Sequence, residues 1–204
     1  MMARAASRPV LWTLLLVNAV FLAVIFYLAP RTMMRVRIPV PASSVLPVLA
    51  EPAPFSLTRE SGEAFSSEEL KNRPWVADFI FTRCPNQCPA MGFKLAALQK
   101  TLPQPVRLVS FSVDPGHDTP AVLQTYAQRF GAQPERWIFL TGDAGTIRRI
   151  QSDLKLSNGE DPNLHSLRFV LMDAAGRARG TYDSEDAAAL ERLKKDLKRL
   201  ETMQ

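Results

Sequence analysis

The chain is short of the residues that most often carry site chemistry. Among 204 residues it holds two cysteines, Cys84 and Cys88, and two histidines, His117 and His165. Two cysteines close at most one disulfide, so a scaffold held by several cross-links is excluded. The chain also lacks an excess of one charge where a fold can form. Its formal charge is +5, but five of the 25 Lys and Arg stand before residue 55, and from there onward it carries 20 basic and 19 acidic residues. A mixed-sign surface of that kind has no basic footprint for nucleic acid, which is excluded as a partner. Internal repeats and low-complexity tracts are absent as well.

What is present begins with VLWTLLLVNAVFLAVIFYLA, residues 10–29, a run of twenty in which only Thr13 and Asn18 are polar. As a helix it matches a hydrocarbon core of about 30 Å. A cleaved signal peptide would have a shorter apolar region ending in small residues, and the segment FYLAP offers no such site. Residues 10–29 therefore read as an uncleaved transmembrane signal anchor, with residues 1–9 as a cytoplasmic N-terminus. Arg4 and Arg8 before the span nearly balance Arg31, Arg35 and Arg37 after it, so charge leaves the orientation open. Prolines at 30, 39, 41, 47, 52 and 54 break regular structure, and residues 30–54 read as a tether. Residues 55–204 are then one domain of a size that buries about 70% of its unfolded surface.

Within that domain the period of the apolar residues switches repeatedly between two and 3.6. Residues 55–65 read as a strand pair around Glu60-Ser61-Gly62, and residues 75–81, 106–113, 137–140 and 167–173 as apolar strands. Residues 89–102 read as a helix with Met91, Leu95, Leu98 and Leu102 on one stripe. A second helix follows Asp118-Thr119-Pro120 and buries Val122, Leu123, Tyr126 and Phe130. A third, capped by Asp143, carries Ile147, Ile150 and Leu154. After a turn at Ala175-Gly176 and a strand over 178–182, Ser184 is expected to cap a last helix with Leu190, Leu193, Leu197 and Leu200 inward. This alternation predicts an α/β fold, a three-layer sandwich with a mixed central sheet.

Both cysteines lie in FTRCPNQCP, where the first core strand gives way to a helix. In open α/β sheets that edge is where ligands bind. Pro89 suits the first turn of the helix and sets Cys88 near its N-terminus, where the backbone dipole lowers a thiol pKa. A separation of four allows the two side chains to share a metal or to form a disulfide, and a loop so short would stabilise the fold little as a staple. His117, in VDPGHDTP, reads as a solvated loop residue, and His165, in NLHSLRF, stands at the start of the fourth strand.

FTRCPNQCP, SVDPGHDTP, YAQRFG, WIFLTG, LHS before a strand and a following Asp-x-x-Gly turn occur in this order across residues 55–204. Together they resemble the SCO1/SenC family of copper-binding assembly proteins for cytochrome c oxidase. The resemblance implies a thioredoxin-like fold behind one membrane anchor, with one copper ion, Cu(I) or Cu(II), held by Cys84, Cys88 and His165. It also implies Asp114 shaping the site from nearby. The expected partners are subunit II of the oxidase and another copper chaperone. A bacterial inner membrane with the domain in the periplasm is the expected location, the alternative being the mitochondrial inner membrane facing the intermembrane space. Soft thiolates suit Cu(I), and three ligands argue against a closed structural zinc site. The competing function is a thiol-disulfide oxidoreductase, in which Cys84 and Cys88 are the catalytic redox pair. The sequence departs from the family at Arg83, often histidine, at Asn86, often acidic, and at Leu164, often aspartate. None of these removes a ligand.

Overall fold

The structure, a computed structural model of the chain, describes residues 12–13, 16–24, 46–104, 106–155 and 167–202. It divides into two compact units, Met1–Ala42 and Ser43–Gln204. In the first, residues 12–13 and 16–24 are helical, and Trp12, Leu16, Val17, Val20, Phe21 and Leu22 are exposed. Among the described residues no helix is long and apolar enough to cross a membrane. The remainder of the expected span, and residues 30–45 of the expected tether, lie outside the described residues.

The second unit is built on a seven-stranded mixed sheet in the order β2-β1-β5-β4-β3-β6-β7. The strands are β1 (Ser56–Arg59), β2 (Ala64–Ser66), β3 (Trp75–Ile80), β4 (Arg107–Ser112), β5 (Trp137–Thr141), β6 (Arg168–Met172) and β7 (Ala178–Asp183). The centre, β3, β4 and β5, is parallel, and the flanking pairs are antiparallel. Among the described residues four α-helices accompany it, α1 (Gln87–Thr101), α2 (Pro120–Arg129), α3 (Ala144–Asp153) and α4 (Ala187–Thr202), with one short 3-10 helix over Ser67–Leu70. The mixed sheet and the alternation of strand and helix agree with the reading of the sequence.

Strand alternation divides the core into two layers. Val76, Ile80, Leu108 and Phe139 join Met91 and Leu95 of α1, Leu123 of α2 and Leu193 and Leu197 of α4 in one apolar cluster. Trp75, Phe79, Phe111 and Leu140 face the other way, with Phe65 of the β1–β2 hairpin and Ile147 and Ile150 of α3. Helix α1 can lie close to α2 because residue 92 is glycine: a Cβ there would stand 2.7 Å from the Phe130 ring.

Two local expectations are corrected. The last helix begins at Ala187, and the Asp186 carboxylate accepts the Ala188 N–H at 2.8 Å, so Asp186 caps it rather than Ser184. Ser184 is instead buried in the chain entering the helix, where its carbonyl accepts from Lys94 Nζ at 2.6 Å. Both residue types are good caps, but the helix starts three residues after Ser184, whose hydroxyl is buried with no hydrogen-bond partner among the described residues. Residues 46–54, expected in the tether, make contacts with the domain: the Leu49 N–H donates to the Ala178 carbonyl at 2.8 Å and the Ala53 N–H to Asp153 at 3.2 Å.

Candidate metal and thiol site

Strand β3, buried throughout, ends at Ile80 and hands the chain to a short loop, residues 81–86, that starts α1 at the carboxyl edge of the parallel strands. Asn86 occupies the N-cap position of α1 but its side chain makes no capping bond. The sulfur of Cys84 takes that place: the Cys88 N–H donates to Cys84 Sγ at 3.3 Å. A backbone donor that has no partner within the helix is thereby satisfied by a thiol.

Both cysteines are free thiols, Cys84 6% exposed and Cys88 fully buried. Their chemistry diverges. Burial pushes the Cys84 thiol up, but the backbone N–H groups of Cys88, Asn86 and Gln87, with the Cys88 side chain, outweigh it and hold Cys84 below the ordinary thiol value. For Cys88 burial dominates, and the neighbouring charges of Cys84 and Asp78 add to it, so its pKa is strongly raised. The expectation that the helix dipole activates Cys88 is therefore corrected. Cys88 sits inside the first turn with its side chain in the core, whereas the turn's amides point back towards Cys84.

Behind the pair lies a buried polar group that the sequence reading passed over. Asp78 of β3 stands opposite Ser110 of β4, accepts the Ser110 hydroxyl at 2.6 Å, and is 1% exposed. Trp137 Nε1 donates to the same Ser110 oxygen at 2.9 Å. Burial raises the Asp78 carboxyl to about 7. Asp78 Oδ2 and the Tyr126 hydroxyl have no hydrogen-bond partner among the described residues. Burial, followed by the charges of Cys88, Asp78 and Cys84, raises the Tyr126 pKa too.

Asp114, expected near the site, is tied to it through Arg83, whose Nη2 lies 2.5 Å from the carboxylate and whose backbone precedes Cys84. His117, expected to be a solvated loop residue, is half-exposed and held: its Nδ1 is 3.0 Å from Asp118 Oδ1 and 3.4 Å from Thr82 Oγ1. Asp114, His117 and Asp118 bring possible ligand atoms within 4.8 Å of one another. Asp118, however, already receives donors on both oxygens, so the group is wired as a hydrogen-bonded tie. His165 lies outside the described residues. Two sulfurs beside the first-turn amides of a helix can hold a soft metal or exchange disulfides, and the donor set fits copper better than a hard cation.

Comparison with known proteins agrees on the family. The profile of the SCO1/SenC family matches residues 48–201. The SCO1 protein homolog of Bacillus subtilis is 32% identical over 166 residues, covering 77% of this chain and 86% of that protein. Among solved structures, BsSco, described as a Sco-family cytochrome c oxidase assembly protein with a disulfide switch, superposes with a TM-score of 0.69 at 30% identity over 78% of this chain and 99% of that one. Copper-bound ScoI of Bradyrhizobium japonicum gives 0.61 at 28% identity, over 74% and 99%.

Proposed function

Because the chain belongs to the SCO1/SenC family, we propose that it is a membrane-anchored copper metallochaperone, carrying one copper ion as cargo to the dinuclear centre of cytochrome c oxidase subunit II. The observation that carries this reading is the pair of free thiols, Cys84 and Cys88, joined across one helix turn at the carboxyl edge of the parallel strands. His165 is the third ligand in this reading. The chain enters β6 at Arg168, three residues after His165, and β6 runs antiparallel to β3, so it starts at the edge where β3 delivers the cysteine loop. Asp114 lies beside that loop, in an exposed ion pair with Arg83. Copper leaves by ligand exchange: an acceptor thiolate enters as a Cys84 or Cys88 sulfur departs, with no change in the total number of electrons.

The anchor is residues 10–29, preceded by a cytoplasmic segment over 1–9 and followed by a tether over 30–54 and the copper-binding domain over 55–204. Exposed apolar side chains on the helical residues 12–13 and 16–24 support it, because water disfavours such a surface and lipid does not. The domain works in the bacterial periplasm.

A specific observation favours a second activity of the same pair, reduction of a partner's disulfide. A lowered pKa on Cys84 and a raised one on Cys88 match an attacking thiol and a buried resolving thiol. Anaerobic copper titration of the full chain in detergent distinguishes the readings. One copper bound by the reduced form and none by the disulfide form is expected of the chaperone; no copper in either form leaves only the reductase.

A further inference from the structure

Four hydrogen bonds converge on the carboxylate of Asp118, which has no solvent exposure. Oδ1 accepts the Thr82 hydroxyl at 2.6 Å and lies 3.0 Å from His117 Nδ1. Oδ2 accepts the Ser112 hydroxyl at 2.6 Å and the Thr82 backbone N–H at 3.1 Å. The donors come from three places: the chain leaving β3, the end of β4, and the loop before α2. A buried carboxylate with both oxygens filled has one favoured arrangement, since moving any donor away strands charge in a dry interior.

Thr82 is two residues from Cys84, and the chain between them is what sets the Cys84 sulfur over the Cys88 N–H. The Arg83–Asp114 pair on the outside of this loop is too exposed, at 63% for the arginine side chain, to hold it firmly. We propose that Asp118 is a positioning residue for Cys84: it clamps Thr82 against β4 and the start of α2, and so holds the Cys84 sulfur in register with Cys88. The inference rests on the cysteine pair being the working site of the proposed function. It applies equally to sulfur–metal and sulfur–sulfur chemistry.

The test uses the full reduced chain in detergent, without metal, equilibrated with glutathione and glutathione disulfide. The two protein thiols are oxidised to one disulfide as one glutathione disulfide is reduced to two thiols, and the equilibrium yields the effective molarity of the pair. Thr82→Val, which keeps the backbone bond and loses the hydroxyl, is expected to lower it about tenfold, as is Asp118→Asn. Thr82→Ser restores the hydroxyl and is expected within about twofold of the original chain. Ile150→Val, on the opposite face of the sheet, should lower Tm and leave the effective molarity unchanged. Should Asp118→Asn fail to fold, Thr82→Val decides. A folded Thr82→Val chain with the original effective molarity overturns the clamp, even if its Tm falls. Failure to bind copper sinks the chaperone reading separately, because no metal enters this measurement.

Discussion

Asp78 places a pH-dependent cost in the centre of the sheet. In the folded chain burial raises its carboxyl from 3.8 to about 7. The Ser110 hydroxyl, which donates to Oδ1, acts against that rise and does not cancel it. Between about pH 4 and pH 7 the folded chain therefore keeps a proton that the unfolded chain releases. Stability must fall as pH rises through this window, because the native state binds the extra proton. The gap between 3.8 and about 7, at about 1.4 kcal/mol per pH unit, amounts to about 4 kcal/mol. Asp78→Asn removes the linkage with little change of shape. The amide oxygen still accepts from Ser110, and the NH2 group replaces the acid proton. Urea unfolding of both chains, in detergent with reductant, followed by fluorescence from pH 4 to pH 8, isolates the effect. The groups that face Asp78, Cys84, Cys88 and Tyr126, are common to both. The substituted chain should gain on the original as pH rises, by up to about 4 kcal/mol above pH 7. Parallel stability curves across this range would refute the reasoning.

Other outcomes follow from the same geometry. His165→Ala should weaken copper binding about tenfold or more, and His117→Ala distinctly less, in competition titrations with a chromogenic Cu(I) chelator; the reverse order would refute the ligand set. Iodoacetamide at pH 7 should label Cys84 well before Cys88, as read by peptide mass spectrometry, because only the Cys84 thiol is held below its ordinary pKa. Equal labelling would refute that asymmetry. Gly92→Ala should destabilise the domain by about 1–3 kcal/mol in urea, since its Cβ meets a Phe130 ring already wedged against Phe93, Tyr126 and Trp137. No loss would mean the ring can move aside.

The elements were legible because their apolar residues repeat at the period of the structure that buries them. Leu95 and Leu98 mark the inner face of α1, and the run from Trp75 to Ile80 can only be a strand buried on both sides. That same burial hid Asp78. A central strand covered on both faces shows no alternation, so one carboxylate among apolar neighbours gives no sign of which layer it enters. The parallel register of β3 and β4 decided that by setting Asp78 opposite Ser110. The helix start at the cysteine loop was also readable from Pro89, yet the dipole's effect falls on Cys84, because the direction of the first-turn amides is a three-dimensional property.

The sequence by itself determined that two thiols stand four positions apart at a strand-to-helix junction, within a mixed α/β domain whose ordered motifs identify the SCO1/SenC family. Local spacing suffices for that, since proximity along the chain and periodic burial need no knowledge of distant partners. Only the tertiary structure decided which thiol is activated, that the Asp78 carboxyl beneath the pair is raised to about 7, and that the Asp118 carboxylate gathers hydrogen bonds from three segments behind the loop. The first depends on the burial of Cys88 and on where the first-turn amides point, and the other two on groups 32 and 36 positions apart being brought within hydrogen-bonding distance, as Asp78 and Ser110 and Thr82 and Asp118 are. Sheet register and helix packing supply that convergence, and no local pattern of residues encodes it.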